Sequence, residues 1–188
     1  MNKTEYEQKR FRYNFLFLLL SAAVGILIAV YLYDYAKIFD NEYSLPTTGT
    51  GFDGIKELLL LFYDELKISV MIFLFGFTVF SGIVDTVCVG YKGFLFGLTV
   101  KITYNAYHTE AISQKYFILL TATGALILFS HIIIASKALC YSSQIRYTGS
   151  DIRAVMSNRL TKNYIVLFLL YTVIICICTA LRQYLTFI

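Results

Sequence analysis

Four ionisable side chains lie in or beside runs that are otherwise apolar: Asp85, Lys92, Lys101 and His131. Inserting a charge at the centre of a bilayer helix costs about 2.5–3.5 kcal/mol on the translocon scale, so such residues are functional hypotheses by default. If they act in chemistry, Asp85, Lys101 and His131 would line a path for protons or other cations. Their positions favour a quieter use. Asp85, Lys92 and Lys101 can each sit near an interface, Lys101 by snorkelling. Lys92 follows Asp85 by about two helical turns, and anchoring at the interface or pairing, for example of Asp85 with Lys92, is expected over an ion pathway. His131, alone on an apolar run, is expected to hydrogen-bond to a neighbouring helix.

No other chemistry is legible. The chain has no G-x-S-x-G, no H-E-x-x-H, no two aspartates on facing spans and no P-loop, so neither intramembrane proteolysis nor self-powered transport is expected. His108 and His131 lie in different segments, and Cys88, Cys140, Cys176 and Cys178 form no C-x-x-C pair. The expectation is therefore a protein that is not an enzyme, with no catalytic residues, no cofactor and no metal.

The elements that hold these residues follow from hydropathy. Of 188 residues, 58% are hydrophobic, well above the roughly 45–50% of soluble domains. The fold class is all-α: a polytopic membrane helix bundle of about five transmembrane helices with a Gly-rich central hairpin, forming one integral membrane domain over residues 1–188. The spans fall at about 15–33, 68–89, 93–107, 116–137 and 164–182, each set against a hydrocarbon layer of about 30 Å. An outer segment over 34–67 includes a turn-rich string, SLPTTGTGFDG, and an interfacial helix over 55–66. The hairpin turn is expected near Val89 to Lys92. The segment from Gly93 to Tyr107 crosses only if Lys101 snorkels or the bilayer thins.

Charge sets the orientation. Lys3, Lys9, Arg10 and Arg12 precede the first span, and Arg146, Arg153, Arg159 and Lys162 fill the segment between the last two. Both should stay in the cytoplasm by the positive-inside rule, which puts the amino end inside and the carboxyl end outside the plasma membrane. The net charge of +4 is not gathered into a patch, so membrane lipid is an expected partner and nucleic acid is not.

Glycines organise the centre. Each costs about 1 kcal/mol against Ala in a helix interior, yet Gly76, Gly82, Gly90, Gly93 and Gly97 all fall within it. Close backbone approach explains them, since helices in lipid associate through small residues. Gly93 and Gly97 form a G-x-x-x-G pair.

The strings FLFGFTVFSGI and YKGFLFGLTV make the chain resemble the stage II sporulation protein M family of small bacterial membrane proteins. The matching positions are Gly76, Thr78 and Gly82, then Lys92, Gly93, Gly97, Thr99 and Val100. The sequence departs from the family's plan at LFSHIIIASKAL, where Ser130 and His131 stand and no proline occurs. The resemblance implies a non-enzymatic scaffold that recruits extracytoplasmic peptidoglycan hydrolases to the septum during engulfment. Its helix-packing motif would be Gly76, Gly82, Lys92, Gly93 and Gly97. The residues themselves leave open a membrane subunit of a small-solute or lipid transport system with a separate ATPase, and a self-protection protein that binds a membrane-active peptide.

Overall fold

The computed structural model describes residues 3–36, 52–148 and 159–186. Among these the chain is all-helical: α1 (Lys3–Ala36), α2 (Phe52–Phe75), α3 (Ser81–His108), α4 (Gln114–Thr148) and α5 (Arg159–Thr186). Four stretches, Gln8–Asp34, Ser81–His108, Gln114–Ser143 and Thr161–Arg182, are long and apolar enough to cross a membrane. The protein is a multi-pass membrane protein. Its outward faces suit lipid: Leu20 and Leu27 of α1, Ile83 and Val87 of α3, and Val166 and Val173 of α5 are all largely exposed. α2 differs because Asp64, Glu65 and Lys67 interrupt its apolar run.

α1 and α3 run parallel in close contact. A Cβ on Gly93 would lie 2.8 Å from Ala22 Cα, and one on Gly97 would lie 3.0 Å from Ile26 Cα and from Ala29 Cβ. On α1, Gly25 abuts the Gly90 carbonyl, and a Cβ there would stand 2.9 Å from the Phe94 nitrogen. Ser21 Oγ donates to the Thr86 carbonyl at 3.0 Å, and Asn105 Nδ2 donates to Tyr33 Oη at 3.0 Å near the other end. Missing side chains on both helices let the backbones meet, the packing mode expected in lipid. Gly82 is not part of it, since a Cβ there would meet only Leu139 Cδ2 at 3.7 Å.

The remaining helices alternate in direction. α2 returns against α3, α4 packs on α3 through Phe96 and Gly124, and α5 packs on α4 and α2. Phe73, Tyr141, Tyr164 and Phe168 stack where α2, α4 and α5 meet, Phe77 lies edge-on to Tyr141, and Tyr164 Oη donates to the Phe73 carbonyl at 3.1 Å. Gly76 is needed there, because a Cβ would reach the Tyr164 ring at 3.0 Å.

The hairpin turn is displaced from its expected place. α3 runs unbroken through Val89 to Lys92, and the chain turns at Gly76 to Phe80 instead. The interfacial helix and the first part of the second span are accordingly one helix, α2. Lys92 needs no interface because it has an internal partner, and Gly90 and Gly93 serve close approach, not a bend. Side-chain hydroxyls hold the true turn. Thr78 Oγ1 donates to the Phe75 carbonyl at 2.8 Å, and Ser142 Oγ of α4 donates to the Thr78 carbonyl at 2.6 Å.

One other boundary differs. The basic segment after the fourth span begins as helix, since α4 continues to Thr148; residues 149–158 lie outside the described ones. The turn between α3 and α4 falls where expected, between the spans 93–107 and 116–137. It is a Schellman closure: Glu110 has φ 59°, its N–H bonds the Tyr107 carbonyl at 3.1 Å, and the Ala111 N–H bonds the Ala106 carbonyl at 2.9 Å. The SLPTTGT string lies outside the described residues.

Candidate ligand site

The strongest polar feature lies in the middle of the bundle. Lys92 Nζ donates to Glu65 Oε2 at 2.7 Å, with side-chain exposures of 7% and 15%. The turn at Gly76 to Phe80 brings them together, because Glu65 precedes it and Lys92 follows it by about three helical turns each. Two limbs of equal length then meet side by side.

His131 of α4 completes the cluster. Its ring is fully buried; Nδ1 lies 2.9 Å from the Ile127 carbonyl, Nε2 lies 3.1 Å from Ser69 Oγ, and Glu65 Oε2 is 3.9 Å away. Ile127 O only accepts, so Nδ1 carries a proton. In a neutral ring Nε2 accepts from Ser69; in a charged ring it donates to Ser69, whose hydroxyl then turns to the Glu65 carbonyl, 3.1 Å away. The cluster has hydrogen bonds for the ring in either protonation state.

Beside this cluster a cavity of about 480 Å³ lies among α2, α3, α4 and α5. Phe96, Ile102, Leu120 and Leu128 give it apolar walls, while Asp64, Glu65, Lys92, Thr103, Tyr116 and Arg182 contribute polar groups. Arg182 is within electrostatic reach of Glu65 and Tyr116. From Lys92 to Thr103 the lining of α3 rises about 16 Å, or roughly half of a 30 Å hydrocarbon layer. A concave apolar chamber of this size with a few convergent polar groups is the usual form of a small-molecule site.

The residues singled out in the sequence divide accordingly. Lys92 and His131 belong to the cluster. Lys101 does not: it pairs with Asp34 at 2.7 Å, where the two side chains are 23% and 57% exposed, and lies 6.0 Å from the Tyr33 ring centroid. Asp85 does not pair with Lys92, contrary to expectation; the ammonium bonds Glu65 instead. Fully buried, Asp85 accepts from Ser81 Oγ at 2.6 Å through Oδ2, and Oδ1 has no hydrogen-bond partner among the described residues. Gly93 and Gly97 face α1, Gly76 faces Tyr164, and Gly82 has room around it.

Sequence reasoning missed Glu65, Ser69 and Arg182. Glu65 falls in the stretch that the sequence assigns to the outer segment, 34–67. The signal that could have found it is its near-symmetry with Lys92 about the stretch from Gly76 to Phe80. Among the described residues no three of His, Cys, Asp and Glu gather as metal ligands. No protein-family model matches the chain, and no curated protein and no solved structure matches it.

Proposed function

We propose that the protein is the membrane-embedded, non-enzymatic component of a small-solute transport system, and that the chamber beside Glu65 and Lys92 receives the solute. One observation carries this reading: an ion pair with an adjoining histidine, deep in the bundle, borders a cavity large enough for a small molecule. Ionisable groups at that depth mark substrate or ion pathways in membrane proteins, and transporter sites lie near the bilayer midplane. The chain has no P-loop, so energy would come from a separate ATPase. Basic flanks support an amino end in the cytoplasm of a bacterial plasma membrane. The alternating helix directions support five crossings, with α2 as the polar one and the carboxyl end outside.

A second reading is the septal scaffold that the resemblance to stage II sporulation protein M implies. Its support is that most of the matching positions do architectural work: Gly76, Gly93 and Gly97 permit close packing, Thr78 closes the turn and Lys92 ties α3 to α2. The G-x-x-x-G face packs on the chain's own α1, so docking of peptidoglycan hydrolases would fall to the outer segment over 34–67.

Crosslinked pull-down from native membranes separates the two. A nucleotide-binding ATPase in the eluate is the expected result. Peptidoglycan hydrolases without an ATPase would replace the transport reading with the scaffold.

A further inference from the structure

The cavity holds charge of both signs close together. Asp64 and Glu65 come from α2, Lys92 from α3 and Arg182 from α5, so its ionic groups are two carboxylates and two cations. Lys92 has three N–H donors, and the one bond assigned to it among the described residues goes to Glu65 Oε2. A carboxylate has room for several donors across its two oxygens. Each member of the pair therefore retains hydrogen-bonding capacity beyond its partner, and both line the chamber. These four charges balance, so a solute with one net charge would leave an excess of its own sign in a desolvated site, which costs several kcal/mol. A solute with both charges avoids that. The walls around the pair, from Leu95 and Phe96 to Leu120 and Leu128, are apolar and favour a hydrocarbon or aromatic group.

We infer that the cavity takes a zwitterion bearing an apolar group, of amino-acid to short-peptide size, with its carboxylate on Lys92 and its ammonium on Glu65. The inference rests on the cavity being the working site proposed above. A volume of about 480 Å³ is within the range of small-molecule pockets and leaves space for such a side group. Arg182 and Asp64 add one further charge of each sign to the lining.

Three probes with one aromatic group isolate the charge requirement: phenylalanine, 3-phenylpropanoate, which lacks the ammonium, and 2-phenylethylamine, which lacks the carboxylate. Binding to the purified full chain in lipid nanodiscs, measured by calorimetry, is expected to be at least tenfold tighter for phenylalanine than for either analogue. Thr99→Phe, which fills the chamber away from the ion pair, should abolish phenylalanine binding. The paired change Glu65→Gln with Lys92→Gln removes both charges without stranding one; it should keep the helix content and erase the preference. Equal binding of the three probes, absence of phenylalanine binding, or binding unchanged by Thr99→Phe would each overturn the inference. Its failure is distinguishable from failure of the transport reading, which the pull-down decides without any solute.

Discussion

Lys92→Met offers the sharpest test of the buried ion pair. The change removes the ammonium 2.7 Å from Glu65 and leaves a carboxylate whose side chain is only 15% exposed. Stranding one member of a buried pair costs about 3–5 kcal/mol. Because Arg182 is within electrostatic reach of Glu65, the lower end, about 3 kcal/mol, is expected, a shift of more than about a hundredfold in the folding equilibrium. Glu65→Gln should cost a similar amount by stranding Lys92. The double variant strands nothing, so its loss should be near 1 kcal/mol, giving a coupling of several kcal/mol in a double-mutant cycle. The pair Lys101–Asp34 is an internal control: it has the same 2.7 Å separation but exposures of 23% and 57%. Exposed pairs contribute about 0–1 kcal/mol, so its cycle should be nearly additive. Reversible unfolding of the full chain in bicelles measures both cycles under one condition. Similar coupling for the two pairs, or additivity within about 0.5 kcal/mol at Lys92 and Glu65, would refute the placement of this pair in a dry interior.

Gly93→Leu should separate α1 from α3 and cost about 1–3 kcal/mol or more, since even its Cβ meets the Ala22 backbone at 2.8 Å; Gly82→Leu, with 3.7 Å to its nearest neighbour, should change stability by less than about 0.5 kcal/mol. Loss of a disulfide crosslink between cysteines placed at Ala22 and Val89 would report the separation. Glu110→Gly should raise stability by about 1 kcal/mol by relieving the left-handed conformation at φ 59°, read as a higher thermal midpoint. Two glycines inserted between Val79 and Phe80 should be tolerated within about 1 kcal/mol as a longer turn. The same insertion between Val89 and Gly90 should prevent folding, because it rotates Lys92, Gly93 and Gly97 by about 200° relative to the start of α3; circular dichroism and size-exclusion profiles distinguish the two.

Much of the architecture is written in hydropathy, because a helix in lipid must be long, apolar and internally hydrogen-bonded. The runs that became α1, α4 and α5 were therefore legible, with ends shifted where the helices extend into polar flanks. The G-x-x-x-G pair at Gly93 and Gly97 was legible as a packing face. Its partner was also readable in principle, as the series Ser21, Gly25 and Ala29 spaced four apart on α1, but small residues in an apolar run attract less notice than charges. The turn was not legible. In water a turn declares itself through polar residues, Gly and Pro, whereas Gly76 to Phe80 reads GFTVF and meets its hydrogen-bonding needs through Thr78 and Ser142.

That hidden turn also concealed the site. With the bend placed at Val89 to Lys92, Lys92 belonged at an interface and Asp85 was its natural partner on the preceding limb. Moving the bend about three helical turns earlier carries Lys92 into the bundle interior. An unpaired ammonium there would be prohibitively costly, so the same move requires a carboxylate at matching depth on α2, which Glu65 supplies at 2.7 Å. The turn and the ion pair thus imply one another: a structure with the turn at Val89 would leave Glu65 at the surface and Lys92 at the turn. The insertion experiment and the double-mutant cycle consequently test one geometry from two sides, and tolerance of the insertion at Val89 would undo the cavity along with the hairpin.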